Sequence, residues 1–123
     1  VSRVAEFLNQ ATARMEALVP GARVTAFGHI GDGNIHYDVI RPDGGDDATH
    51  SALRGEGSRI VHDIVASMGG SISAEHGIGL EKKAFLALSR SAAEIDLMRR
   101  IKRALDPQGI LNPGKIFDPV GKP

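Results

Sequence analysis

Near the amino terminus apolar residues recur at three- and four-residue steps: Val4, Phe7, Leu8, Ala11, Met15 and Leu18. That spacing aligns one stripe on an α-helix, and Pro20-Gly21 ends it, because Pro lacks a donor and Gly tolerates left-handed backbone. Over residues 23–41 the period changes to two, which predicts strands. Pro42-Asp43-Gly44-Gly45-Asp46-Asp47 reads as a polar loop. A second helix over residues 48–68 carries Leu53, Ile60, Val61, Ile64, Val65 and Met68 on one face, and Gly69-Gly70 stops it. Residues 71–74 read as a short strand, residues 75–79 as a glycine-flanked turn, and residues 80–88 as a short helix. Ser91 with Glu94 three residues on is a capping-box signal for a last helix bearing Ile95, Met98, Ile101 and Leu105. Asp106-Pro107 closes it, and the tail to residue 123 is expected to be turn-rich and extended. Helices beside an antiparallel hairpin give an α+β fold, with the helices on one face of the sheet.

Composition narrows the function classes. The chain has 123 residues, 41% of them hydrophobic, enough for one domain with a core. Fifteen Lys+Arg balance fifteen Asp+Glu, so the general electrostatic attraction of nucleic-acid and anionic-membrane binders is missing. Arg99, Arg100, Lys102 and Arg103 then read as a solvated helix face. No apolar run is long enough for a membrane span and no signal pattern opens the chain, so a cytoplasmic location is expected. The absence of Cys excludes disulfides, thiolate metal sites and cysteine nucleophiles. The chain opens on Val1 rather than Met, which suggests a piece of something longer.

The richest chemistry lies in His29-Ile30-Gly31-Asp32-Gly33-Asn34-Ile35-His36. Asp-Gly between two period-two runs predicts a two-residue turn. That turn pairs Gly31 with Asn34, Ile30 with Ile35 and His29 with His36. Alternation then gives one core face, with Val24, Ala26, Ile30, Ile35, Tyr37 and Val39. The opposite face carries Thr25, Phe27, His29, Asn34, His36 and Asp38. Two opposed neutral imidazoles can bind one divalent cation, with a carboxylate as third ligand, either Asp38 locally or Glu75 from elsewhere. Two His on a polar hairpin face can equally be solvated, and a one-residue slip would separate them.

Ser73-Ala74-Glu75-His76-Gly77-Ile78-Gly79 sets an acid and an imidazole at a glycine turn. There Glu75 is either a metal ligand or a helix-start carboxylate, and His76 either a general base or a turn residue. His50 sits at a helix start and His62 lies off the apolar stripe of its helix, so both are expected at the surface. Asn112-Pro113-Gly114-Lys115 is a turn whose Lys115 can reach a phosphate or carboxylate.

Three motifs in order carry a family resemblance: Gly28 to His36, Ser73 to Gly79, and Asp106-Pro107-Gln108-Gly109-Ile110-Leu111-Asn112-Pro113-Gly114-Lys115. Together they resemble the carboxy-terminal domain of FAD-linked oxidases, in the branch of D-lactate, glycolate and D-2-hydroxyglutarate dehydrogenases. The resemblance implies the distal part of a ferredoxin-like cap domain over residues 1–123, with the flavin-binding domain absent from this chain and lying upstream as its partner. It implies oxidation of a small D-2-hydroxy acid to a 2-oxo acid, with hydride passing to FAD. A divalent metal, zinc first, would be held by His29, His36 and Glu75, and His76 would take the hydroxyl proton. Asn34 and Asp38 would contact substrate, and Asn112 and Lys115 the flavin or the domain seam. Asp38 stands where 2-hydroxyglutarate members often carry Asn, and an ionised Asp beside a carboxylate counts against a dicarboxylate. A homo-oligomer is compatible, and the isolated piece is expected to be inactive. The rival readings are a non-redox metal-dependent hydrolase domain and a binding module stapled by metal.

Overall fold

The computed structural model describes residues 1–119, and the end of the expected tail, residues 120–123, lies outside the described residues. The elements run α1 (Val4–Leu18), β1 (Arg23–His29), β2 (Asn34–Ile40), α2 (Asp47–Ser67), a 3-10 helix (Lys83–Leu88) and α3 (Ala92–Leu105). The chain divides into two compact units, Val1–Gly69 and a second beginning at Gly70. Among the described residues no helix is long and apolar enough to cross a membrane.

In the first unit α1 packs on α2 and the two strands pair antiparallel. Helices beside a two-stranded antiparallel hairpin make an α+β fold. Ala11 and Met15 of α1 and Ile64 of α2 form the buried core. The Phe7 ring meets Tyr37 edge-on at 5.6 Å, and the Thr12 and Tyr37 hydroxyls lie 3.4 Å apart. Gly57 lets α2 approach α1: a Cβ there would sit 3.0 Å from the Met15 terminal methyl. The expected stop at Pro20-Gly21 holds, with Gly21 at φ +79°. Asp46 caps α2 by accepting the Thr49 amide at 2.8 Å.

The hairpin corrects the expected turn. His29 pairs with Asn34 and Phe27 with His36, so Ile30-Gly31-Asp32-Gly33 form a four-residue loop. The two-residue turn needs positive φ at both central positions, and Asp32 does not adopt it. Its carboxylate instead accepts the Asn34 amide at 3.0 Å, while the His29 carbonyl accepts the Asp32 and Gly33 amides. This side-chain bond two residues on is the local alternative that Asp offers a turn. The slip is two residues, and side chains alternate with period two, so both faces keep their expected members. Ile30 alone changes place, moving from the core face into the loop, where it is 70% exposed.

The second unit departs further. Residues 71–74 form no strand, and the short helix is a 3-10 helix that starts only at Lys83. The α3 capping box is present: Ser91 Oγ accepts the Glu94 amide and the Ser91 amide donates to the Glu94 carboxylate. Its apolar stripe, however, is not fully covered. Ile95 and Met98 are half-buried, but Ile101 and Leu105 are 51% and 75% exposed. Among the described residues, extensive packing between elements is seen for β1 with β2 and for α1 with α2.

Candidate metal and proton-transfer residues

The hairpin brings His29 and His36 to one face, although not directly opposite each other. In the observed register they are diagonal neighbours, a relation that separates residues by roughly 7–8 Å, their Cβ atoms somewhat less, and stays within reach of long side chains. Phe27, directly across from His36, stacks on its imidazole with ring centroids 5.0 Å apart and planes 15° from parallel. That contact fixes the plane of one candidate ligand. Sequence reasoning placed Phe27 on this face without a role; the signal was an aromatic residue amid polar neighbours. Asn34 and Asp38 share the face, Asn34 across from His29 and Asp38 across from Thr25.

Gly28 is what allows the strands to meet here. Its φ is +148°, and a Cβ on it would sit 2.2 Å from the Asn34 carbonyl oxygen. Backbone cannot give way as a flexible side chain can, so this position requires glycine.

Glu75 and His76 belong to the second unit, in a bend outside any strand or helix. His76 Nε2 stands 4.0 Å from a Glu75 carboxylate oxygen, and the His76 side chain is 73% exposed. The bend is closed by Ser73, whose hydroxyl donates to the Gly77 carbonyl at 2.6 Å and accepts from Lys82 Nζ at 3.2 Å. Gly77 and Gly79 have φ of +69° and +55° with open space at the Cβ position, so conformation and not crowding calls for glycine. Asn112 and Lys115 lie in one turn, as expected, closed by the Lys115 amide on the Asn112 carbonyl at 3.4 Å.

Among the described residues no cluster of three or more His, Asp or Glu donors is assembled for a metal. The donor types on the hairpin face, two imidazoles with the Asp38 carboxylate beside them, are ones that bind divalent cations. His50 and His62 are corrected: both are half-buried, lining a cavity of about 240 Å³ with Met15 and Tyr37 between α1, the hairpin and α2. Three of the basic residues of α3 are engaged within the unit. Arg100 pairs with Asp96 at 2.7 Å, Lys102 with Asp106 at 2.6 Å, and Arg99 lies 5.2 Å over the Phe117 ring.

Sequence comparison decides the family. Residues 1–116 match the FAD linked oxidases, C-terminal domain. The chain belongs to that family. It is 45% identical to a D-2-hydroxyglutarate dehydrogenase of Xanthomonas citri pv. viticola over 118 residues, covering 96% of this chain and 25% of that protein. A D-2-hydroxyglutarate dehydrogenase of Stutzerimonas stutzeri is 42% identical over 117 residues, 95% of this chain and 25% of its own length. A mitochondrial D-2-hydroxyglutarate dehydrogenase of Bos taurus is 42% identical over 101 residues, 81% of this chain and 18% of its own. The chain therefore spans about a quarter, or less, of these relatives. All three are named as dehydrogenases, and no observation favours the hydrolase or staple alternatives.

Proposed function

We propose that this chain supplies the divalent-metal ligands and the proton acceptor of an FAD-dependent dehydrogenase that converts a D-2-hydroxy acid to a 2-oxo acid. The carrying observation is the pair of imidazoles on one hairpin face, in a chain of the FAD-linked oxidase family. His29 and His36 would hold the metal, zinc being the first candidate, with Glu75 as third ligand. Such a cation supplies Lewis acidity toward the substrate hydroxyl and carboxylate. The flavin, bound mainly outside this chain, supplies the hydride acceptor.

The remaining roles belong to this chain's own side chains. His76 accepts the hydroxyl proton, since an imidazole nitrogen can act as a general base and its exposed ring is open to a substrate. Phe27 holds the His36 ring in one plane. Asn34 and Asp38 border the same face and contact the substrate. Asn112 and Lys115 offer an amide and an ammonium to the flavin or to the seam between domains. The names of the relatives make 2-hydroxyglutarate the first acid to assay; Asp38, an anion on that face, disfavours its second carboxylate.

The test joins this segment to the amino-terminal three-quarters of the Xanthomonas relative, with FAD and zinc supplied. His29→Ala should lose both metal and turnover. His76→Ala should retain metal and lower kcat by about 10²–10⁴-fold, the usual worth of general-base catalysis. Full turnover after metal loss would remove the Lewis-acid role. Asp38→Asn should favour 2-hydroxyglutarate over lactate, and an unchanged preference would free Asp38 of any part in selection.

A further inference from the structure

Residues 110–118 cross the second unit under an unusual set of constraints. Asp106, at the carboxyl end of α3, is 7% exposed. Its carboxylate accepts the Ile110 and Leu111 amides at 3.0 Å each and Lys102 Nζ at 2.6 Å. Lys102 Nζ also donates to the Leu111 carbonyl at 2.6 Å. Further along, Lys83 Nζ donates to the Gly114 carbonyl at 3.1 Å and to Asp118 at 2.5 Å. The segment is thus tied at its base to α3 and in its middle to the 3-10 helix.

Between and beyond those ties the backbone is held where it does not rest by itself. Asn112 and Ile116 have φ of +49° and +63°. Asn tolerates that region, but a β-branched residue there is an outlier, and such strain persists only where surrounding contacts over-determine it. What the Ile116 conformation achieves is visible in its amide, which donates to the Gly79 carbonyl at 2.9 Å. Gly79 ends the bend that carries Glu75 and His76, whose other end is closed by Ser73 on Gly77.

We infer that Asp106 and Lys83 are positioning residues for His76. They strap residues 110–118 across the unit so that the Ile116 amide braces the Glu75–His76 bend through the Gly79 carbonyl. The importance of the brace rests on the reading of His76 as the proton acceptor. The bend's internal ties, Ser73 to Gly77 and Lys82 to Ser73, run through side chains. A backbone tie from a distant segment adds a fixed point at Gly79, and a base must be held in hydrogen-bond reach of the proton it takes.

The test is amide exchange and side-chain NMR on the 123-residue chain, with no metal or flavin present. It therefore reads the brace independently of the dehydrogenase reading. Asp106→Asn should speed exchange at Ile110, Leu111 and Ile116, the last by at least tenfold, and shift the His76 ring resonances. Lys83→Met cuts the strap from its other side: Ile116 and His76 should respond while Ile110 and Leu111 stay protected. Should Asp106→Asn unfold the unit, Lys83→Met carries the test alone. His76 resonances that stay fixed in Lys83→Met, while the Ile116 amide is released, would overturn the brace. So would an Ile116 amide as exposed to exchange in the parent chain as in either variant.

Discussion

The two units of this chain are held together by different physics. The first is organised by apolar surface: Ala11, Met15 and Ile64 are buried, Gly57 permits close helix contact, and Phe7 of α1 meets Tyr37 of the hairpin. The second buries Ile72 and Leu86, but its third buried residue is a carboxylate, Asp106, and no residue of α3 is buried. Its order comes from lysine and carboxylate ties to backbone groups that are otherwise without regular structure. A hydrophobic core tolerates changes of pH, whereas a buried carboxylate with three donors does not. The units should therefore fail under different insults.

The largest expected effect is on the first unit. Gly28→Ala places a methyl group 2.2 Å from backbone at a positive φ, and the strands can relieve this only by parting. Its cost should be about 3 kcal/mol, read from urea unfolding followed by far-ultraviolet circular dichroism. A loss below the error of such a curve would show that the close approach at Gly28 does not pin the register.

A smaller, local effect separates the second unit. The Lys102 ammonium, bonded to the Asp106 carboxylate, holds its pKa below the ordinary carboxylate range, with the Ile110 and Leu111 amides adding to it. A group whose folded pKa is depressed contributes stability above its unfolded pKa and loses it as pH falls through the folded one. The amides of Ile110, Leu111 and Ile116 should accordingly lose protection only below about pH 4, while the Met15 amide keeps its own. Simultaneous loss in both units would erase the distinction between them.

That distinction also explains what could be read from the chain. The first unit obeys short periods, so its helices, its strands and the faces of its hairpin followed from spacing alone. The turn did not follow, because Asp32 had two ways to act and took the side-chain bond to Asn34. Alternation forgave the error, since a two-residue slip returns each side chain to its face. In the second unit the motifs around Glu75 and Asn112 were visible as residue types, but their organisation was not. Lys83 reaches Gly114 across 31 positions, and Ile116 reaches Gly79 across a gap of similar size. No local period marks such a tie. Lys102 stands four residues before Asp106, but in the sequence Asp106 read as the end of a helix and not as an anchor.

In the function proposed above, the imidazole face of the hairpin is part of a divalent-metal site. Its most direct measurement is a calorimetric zinc titration of the 123-residue chain beside His29→Ala and His36→Ala. Near-stoichiometric uptake by the parent chain, lost in both variants, is the expected result. Equal uptake by all three proteins, or none by a folded parent chain, would contradict it.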